Sequence, residues 1–168
     1  MKITLSIIKA DIGSIGGHIC PSRQLVETVR NYVAQHGSML IDQYVSSTGD
    51  DIAILMSHKH GVGYEAVHKL AWDAFLAGTE VAKQQGLYGA GQDLLKDAFS
   101  GNVHGMGPAV AEMEFGERPN EPFLFFAADK TDPGAFNLPL YLAFADPMNT
   151  PGLILAPNMA QGFRFVIM

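Results

Sequence analysis

Cysteine, charge and long apolar runs are all scarce in this sequence of 168 residues. Cys20 is the only cysteine, which excludes a disulfide framework and fits a reducing cytoplasm. We expect its thiol to be a small buried group. No apolar run approaches the roughly 20 residues of a membrane-spanning helix, and the first residues are typical of a strand and not of a signal peptide. The sequence therefore predicts a cytoplasmic protein that does not cross a membrane.

The charge is low and negative. Charged residues make up 17% of the chain, and the net charge of −6 is accompanied by no basic stripe, so nucleic-acid binding is not expected. Apolar residues make up 48%, and a chain of this length buries roughly 68–70% of its unfolded surface. We expect one domain over residues 1–168 that needs no structural metal. The weakly charged surface favours a homo-oligomer whose subunits cover part of it.

Hydrophobic periodicity predicts the order of the secondary-structure elements. Strands are predicted at residues 2–10, 40–47, 52–57, 109–115, 123–128 and 162–168. One helix is predicted between the N-cap Ser22 and the stop signal Gly37, and a longer one at residues 64–86. This order indicates an α+β fold with helices on one face of a mixed sheet.

Three of the predicted strands lead into aspartates. Asp11 follows the first strand, Asp50 and Asp51 lie in the turn after the second, and Asp129 follows the strand at 123–128. Each one alone is typical of a solvated turn. Together at one sheet edge they would repel one another unless cations hold them, and oxygen ligands in that number favour Mg²⁺. The pattern therefore predicts a metal site at strand ends, suited to phosphoryl chemistry.

Further polar residues lie in glycine-rich segments. His18 follows a glycine-rich loop and becomes a candidate ligand if paired with Asp11. Gln92 is a neutral oxygen donor between glycines, and Lys130 is adjacent to Asp129. The segment at residues 100–102 offers backbone N–H groups for a phosphate. The other histidines show no ligand spacing and are interpreted as surface or packing residues: His36, His58, His60, His68 and His104.

These motifs together resemble the fructose-1,6-bisphosphate aldolase/phosphatase family, the class V fructose-1,6-bisphosphatases of archaea and bacteria. The resemblance is carried by IKADIGS at residues 8–14 with Gly17 and His18, GDD at 49–51, YGAGQDLL at 88–95, FSGNV at 99–103 and ADKT at 128–131. It extends over essentially the whole chain. It implies a layered α/β sandwich that assembles into oligomers, and a gluconeogenic enzyme that acts on a sugar phosphate.

The resemblance also implies residue roles. The implied Mg²⁺ ligands are Asp11, His18, Asp50, Asp51, Gln92 and Asp129, and Asp11 is also the implied catalytic base. The implied substrate-binding residues are His18, Tyr88, Gly101, Asn102 and Lys130. Two or more Mg²⁺ ions are expected, with Mn²⁺ as a possible replacement.

The departure from the family is in length. Family members are about twice as long, and the part with no counterpart here carries their Schiff-base lysine, its partner tyrosine and further phosphate-binding residues. We therefore expect a Mg²⁺-dependent phosphatase without imine-dependent aldolase activity. Two alternatives stay open: other metal-assisted lyase, aldolase or isomerase chemistry, or a non-catalytic metal-binding oligomeric module. The apolar strand at residues 163–168 also favours burial at a subunit interface.

Overall fold

The computed structural model describes residues 2–16, 18–94 and 107–116. Within these ranges the elements are β1 (Lys2–Ala10), α1 (Arg23–His36), β2 (Asp42–Thr48), β3 (Asp51–His58), α2 (Glu65–Gln84) and β4 (Ala109–Gly116), with a short 3-10 helix at Gln92–Leu94. The predicted elements up to residue 115 are confirmed, with their ends shifted by no more than two residues. The strands predicted at 123–128 and 162–168 lie outside the described residues.

The four described strands form one sheet in the order β2-β3-β1-β4, and each neighbouring pair is antiparallel. The expectation of a mixed sheet is therefore wrong for this part of the chain. In the β2–β3 hairpin, β3 is the strand that lies beside β1. The strands β1 and β2, which α1 connects, are therefore parallel but not adjacent. In the same way β1 separates β3 from β4, which α2 connects. This connectivity is the double split β-α-β arrangement of ferredoxin-like folds.

Both helices pack on one face of this sheet, as the sequence predicts. The core joins alternate residues of the central strands, such as Ile8 and Ile54, to buried residues of α1 and α2, such as Val29 and Phe75. Gly78 lets α2 pack closely, because a Cβ at this position would lie 2.7 Å from the Ile12 side chain. The described part of the chain is thus an α+β unit with one two-layer core.

The caps of α1 are those that the sequence predicts. The Ser22 hydroxyl accepts a hydrogen bond from the Leu25 N–H at 3.2 Å, and Gly37 is the C-cap, whose N–H donates to the Val33 carbonyl. These contacts satisfy backbone groups that a helix end would otherwise leave unpaired.

At the end of the sheet remote from Asp11, the helix-facing surface carries a buried polar network. The Ser6 hydroxyl lies 2.8 Å from His58 Nε2 and donates to Glu112 Oε1 at 2.5 Å. Glu112 also contacts His68 Nε2 at 2.9 Å and accepts from the Gly63 N–H at 2.7 Å. His58 and His68 are therefore network members, which the sequence did not reveal beyond a packing role.

None of the helices in the described part of the chain has the length and apolar character needed to cross a membrane.

Candidate metal centre

Asp11 is the residue directly after β1, and the following backbone pairs with residues 88–93. Its own main chain is held at both ends by Asp93, because the Asp11 N–H donates to Asp93 Oδ2 at 2.8 Å and the Asp93 N–H donates to the Asp11 carbonyl at 3.1 Å. Asp11 Oδ1 accepts from the Gly13 N–H at 3.2 Å. The carboxylate is buried, with Asp11 only 5% exposed.

Asp50 is fixed by the tight turn between β2 and β3. Thr48 pairs with Asp51, so Gly49 and Asp50 form a two-residue hairpin loop. Gly49 has φ 58, which a type II′ turn requires at its first central position and which glycine adopts at no steric cost. The turn leaves Asp50 buried at the sheet edge where β1 ends, because Ala10 pairs with Ile52 just beyond it.

His18 approaches the two aspartates from the loop before α1. It adopts a left-handed conformation with φ 64, and its N–H donates to the Ser14 hydroxyl at 3.0 Å. His18 Nδ1 lies 2.5 Å from Asp50 Oδ2 and 3.4 Å from Asp11 Oδ2. Left-handed backbone is uncommon outside glycine, and its retention at a loop histidine indicates that the surrounding contacts determine the position of the ring.

Asp11, His18 and Asp50 form a group whose ligand atoms all lie within 4.8 Å of one another. Two carboxylate oxygens and an imidazole nitrogen are a donor set for a divalent cation, with the carboxylates favouring Mg²⁺ or Mn²⁺ and the imidazole suiting transition metals. The geometry is compact enough for one cation to contact all three side chains.

The electrostatics of Asp11 fit a cation. Burial, followed by the negative charge of Asp50, raises the Asp11 pKa from 3.8 to about 7, against the hydrogen bond from Gly13. Asp93 and Asp51 add smaller effects in the same direction. Burial also raises the pKa of Asp93, with smaller contributions from Asp51 and Asp50. A divalent cation would relieve this repulsion.

Asp51 points to a different partner from that of its neighbour Asp50. The Lys9 ammonium forms an ion pair with Asp51 Oδ2, and both side chains are largely buried. Adjacent aspartates at the turn thus face two separate surroundings, as expected for neighbouring residues at a strand start.

A family model described as fructose-1,6-bisphosphatase matches residues 2–168. The chain belongs to this family.

Relatives of this fructose-1,6-bisphosphatase family are close in sequence. The chain is 64% identical to the fructose-1,6-bisphosphate aldolase/phosphatase of Thermus thermophilus over 169 residues, which cover 100% of this chain and 47% of that protein. It is 60% identical to the protein of the same name from Moorella thermoacetica, covering 99% of this chain and 44% of that protein. The chain therefore spans about half the length of the curated relatives that it matches.

The structure brings some of the other family-implied residues to this group. The Tyr88 ring makes an edge contact with the His18 ring at 4.7 Å between centroids, and Tyr88 is 56% exposed. Gln92 is exposed on the 3-10 helix, and its side-chain oxygen would lie 3.0 Å from a Cβ added at Gly89. Its role as a ligand stays a prediction. Gly101, Asn102, Asp129 and Lys130 lie outside the described residues.

Two features differ from the sequence-based expectations. Asp93 makes both main-chain contacts to Asp11, whereas the sequence motifs indicate only its neighbour Gln92. The one local signal for Asp93 is that an acid directly follows an oxygen donor in a glycine-rich segment. Cys20 is exposed, so the prediction of a buried thiol is wrong. Its carbonyl accepts from the Ile15 N–H at 2.7 Å in a surface loop that leaves both of these residues exposed.

Proposed function

We propose that this chain is a Mg²⁺-dependent sugar-phosphate phosphatase that converts fructose 1,6-bisphosphate into fructose 6-phosphate and phosphate, in the cytoplasm and in gluconeogenesis. The observation that carries the proposal is the convergence of Asp11, His18 and Asp50 in a chain of the fructose-1,6-bisphosphatase family. The relatives named above are called aldolase/phosphatases, which supports the substrate class.

The proposed cation ligands are Asp11, His18, Asp50, Asp51, Gln92 and Asp129, with Mn²⁺ able to replace Mg²⁺. Adjacent acids such as Asp50 and Asp51 suit two ions, since they face different partners. When bound, divalent cations polarise phosphoryl oxygens and lower the pKa of bound water.

Asp11 is the proposed general base. Its buried carboxylate lies in the group formed with His18 and Asp50, where it is placed to accept a proton from an attacking water. Hydrolysis breaks the bond between phosphorus and the sugar oxygen, and the departing sugar oxygen ends as a hydroxyl. The two Asp11 oxygens have different surroundings, since Oδ1 accepts from Gly13 and Oδ2 faces His18.

Substrate contacts are proposed for His18, Tyr88, Gly101, Asn102 and Lys130. The exposed Tyr88 ring against His18 supports the first two, because it forms an accessible surface beside the carboxylates. The other three follow from the family motifs alone. Lys130 would supply positive charge for a phosphate in an acidic chain.

The test is release of inorganic phosphate from fructose 1,6-bisphosphate with Mg²⁺, with Mn²⁺ and with chelator. Asp50→Ala and Asp129→Ala should each abolish metal-dependent release while circular dichroism stays unchanged. Asp73→Ala is the matched control, because Asp73 pairs with Lys69 on the surface of α2 and should have no effect on turnover. Absence of phosphate release by the metal-loaded protein from any sugar phosphate would refute the proposal. Metal binding without turnover would instead favour a non-catalytic module.

Imine-dependent aldolase activity is proposed to be absent from this 168-residue chain. The family resemblance assigns the imine to a lysine with no counterpart here, and Lys9 is engaged with Asp51. Borohydride in the presence of dihydroxyacetone phosphate should therefore trap no adduct. A mass increase equal to the reduced imine on any lysine would show that this chain forms one.

A homo-oligomer is proposed on the strength of the apolar sequence at residues 163–168 and the low charge of the chain. Light scattering at micromolar concentration should give a mass well above 18.1 kDa. A soluble monomer at that concentration would contradict this part of the proposal.

A further inference from the structure

We propose that Asp93 is a positioning residue that sets the orientation of Asp11 by holding its main chain. The inference rests on the proposed function only in treating Asp11 as a cation ligand and base. Its observation is the reciprocal pair of hydrogen bonds, from the Asp11 N–H to Asp93 Oδ2 at 2.8 Å and from the Asp93 N–H to the Asp11 carbonyl at 3.1 Å.

Asp93 completes a longer pairing between two segments. The N–H and carbonyl groups of Ser14 and Tyr88 exchange hydrogen bonds at 2.9 and 3.0 Å, and the Gly91 N–H donates to the Ile12 carbonyl at 3.0 Å. These contacts align residues 11–14 with residues 88–93. At Asp93 a side chain takes over from the backbone pairing. β1 ends at Ala10, and the N–H of the next residue, Asp11, donates to the Asp93 carboxylate.

The backbone beyond Asp11 is restricted as well. Gly13 has φ 140, and a Cβ there would lie 2.7 Å from the Ala82 side chain, so this turn is set by α2. Asp11 is therefore bounded by Asp93 on its main chain and by Gly13 on Oδ1. With both restraints in place, Asp11 Oδ2 faces His18. Cation binding by Asp11, His18 and Asp50 together requires this orientation.

The positioning role requires that residue 93 place a hydrogen-bond acceptor within reach of the Asp11 N–H. It does not require a further negative charge. The Asp93 carboxylate contacts Asp11 as an acceptor, through the hydrogen bond from the Asp11 N–H to Asp93 Oδ2. Asparagine keeps an oxygen acceptor at the same distance from the main chain and removes the charge. Glutamate keeps the charge and moves the acceptor by one methylene group. A positioning role and a charge role therefore predict opposite orders for these two variants.

The experiment compares Asp93→Asn, Asp93→Glu and Asp93→Ala in the purified chain. Mn²⁺ affinity is measured by calorimetry, and exchange of the Asp11 amide is measured by NMR in chelator. We expect Asp93→Asn to stay within about threefold of the unmodified protein in affinity, and the other two to lose about ten- to a hundredfold, the range seen when groups that orient metal ligands are removed. Amide protection at Asp11 should follow the same order.

Asp42→Ala is the matched control. The Asp42 side chain also accepts a backbone hydrogen bond, from the Gln43 N–H at 2.8 Å, but Asp42 is not a member of the group formed by Asp11, His18 and Asp50. It should change neither readout. The inference is overturned if Asp93→Glu retains affinity and protection while Asp93→Asn loses them, or if all three Asp93 variants match the unmodified protein. If Asp93→Ala does not fold, the asparagine and glutamate pair still decides. Exchange in chelator needs no turnover, so it stays decisive even if the unmodified protein releases no phosphate.

Discussion

Replacing Asp11 with asparagine should stabilise the metal-free protein at alkaline pH while removing its affinity for cations. The reason is that the folded protein disfavours the charged form of Asp11. Burial and the neighbouring charge of Asp50 raise its pKa from 3.8 to about 7. Asparagine occupies a similar volume, can still accept from Gly13, and has no charge to place among the other carboxylates.

The sign and size follow from linkage between protonation and folding. Between pH 4 and pH 7 the Asp11 carboxyl group binds a proton in the folded state and is ionised in the unfolded state. Its contribution to the free energy of unfolding therefore falls as pH rises, by about 1.4 kcal/mol for each pH unit. Between pH 5 and pH 8 this amounts to about 3 kcal/mol. Asp11 is 5% exposed, so water screens the effect little.

The assay is urea denaturation in chelator at several pH values from 5 to 8, for the unmodified protein and for Asp11→Asn. The difference between the two curves isolates Asp11 from the other titrating groups. Mn²⁺ at 100 times its dissociation constant should restore about 2.7 kcal/mol to the unmodified protein at pH 8 and nothing to the variant. Parallel pH profiles for the two proteins would refute the electrostatic account of Asp11.

Three further substitutions test the core. Ser6→Ala should lower the free energy of unfolding by about 1–3 kcal/mol, because His58 and Glu112 lose a buried partner. Burial lowers the pKa of His58 from 6.5, so the contribution of His58 to the free energy of unfolding is lost as pH falls below 6.5. This pH dependence has the opposite sign to that of Asp11. Urea denaturation at pH 5 and pH 7 should show a smaller loss for His58→Gln than for the unmodified protein. Gly78→Ala should lower the melting temperature, because the added Cβ would meet Ile12 at 2.7 Å, and overpacking costs about 1–3 kcal/mol against a gain of about 1 kcal/mol in helix propensity. An unchanged melting temperature would mean that α2 and the Ile12 side chain can move apart.

Much of the local structure was predictable because it depends on near neighbours in sequence. Ser22 and Gly37 bound α1, and the alternating apolar residues of β1 give its two faces. Gly49 marks the hairpin turn that presents Asp50. These features need only side-chain capping, backbone freedom and a period of two residues.

The metal-site hypothesis was accessible in part from the same information. Aspartates directly after strands indicated that Asp11 and Asp50 would share a sheet edge, and the structure places their carboxylates beside His18. The sequence did not predict the role of Asp93, because its contacts with Asp11 join residues 82 positions apart in the chain.

The sequence by itself determined which residues form strands and helices, and that Asp11 and Asp50 lie at strand ends. Only the tertiary structure decided that β3 lies between β1 and β2, which makes the described sheet antiparallel. It also decided that Ser6, His58 and Glu112 meet inside the core, and that Asp93 holds Asp11. The physical reason is that the β1–β3 pairing and these side-chain contacts join residues more than forty positions apart. Local preferences are the same for every way of arranging such segments, and the choice among arrangements depends on burial and hydrogen bonding in the whole fold.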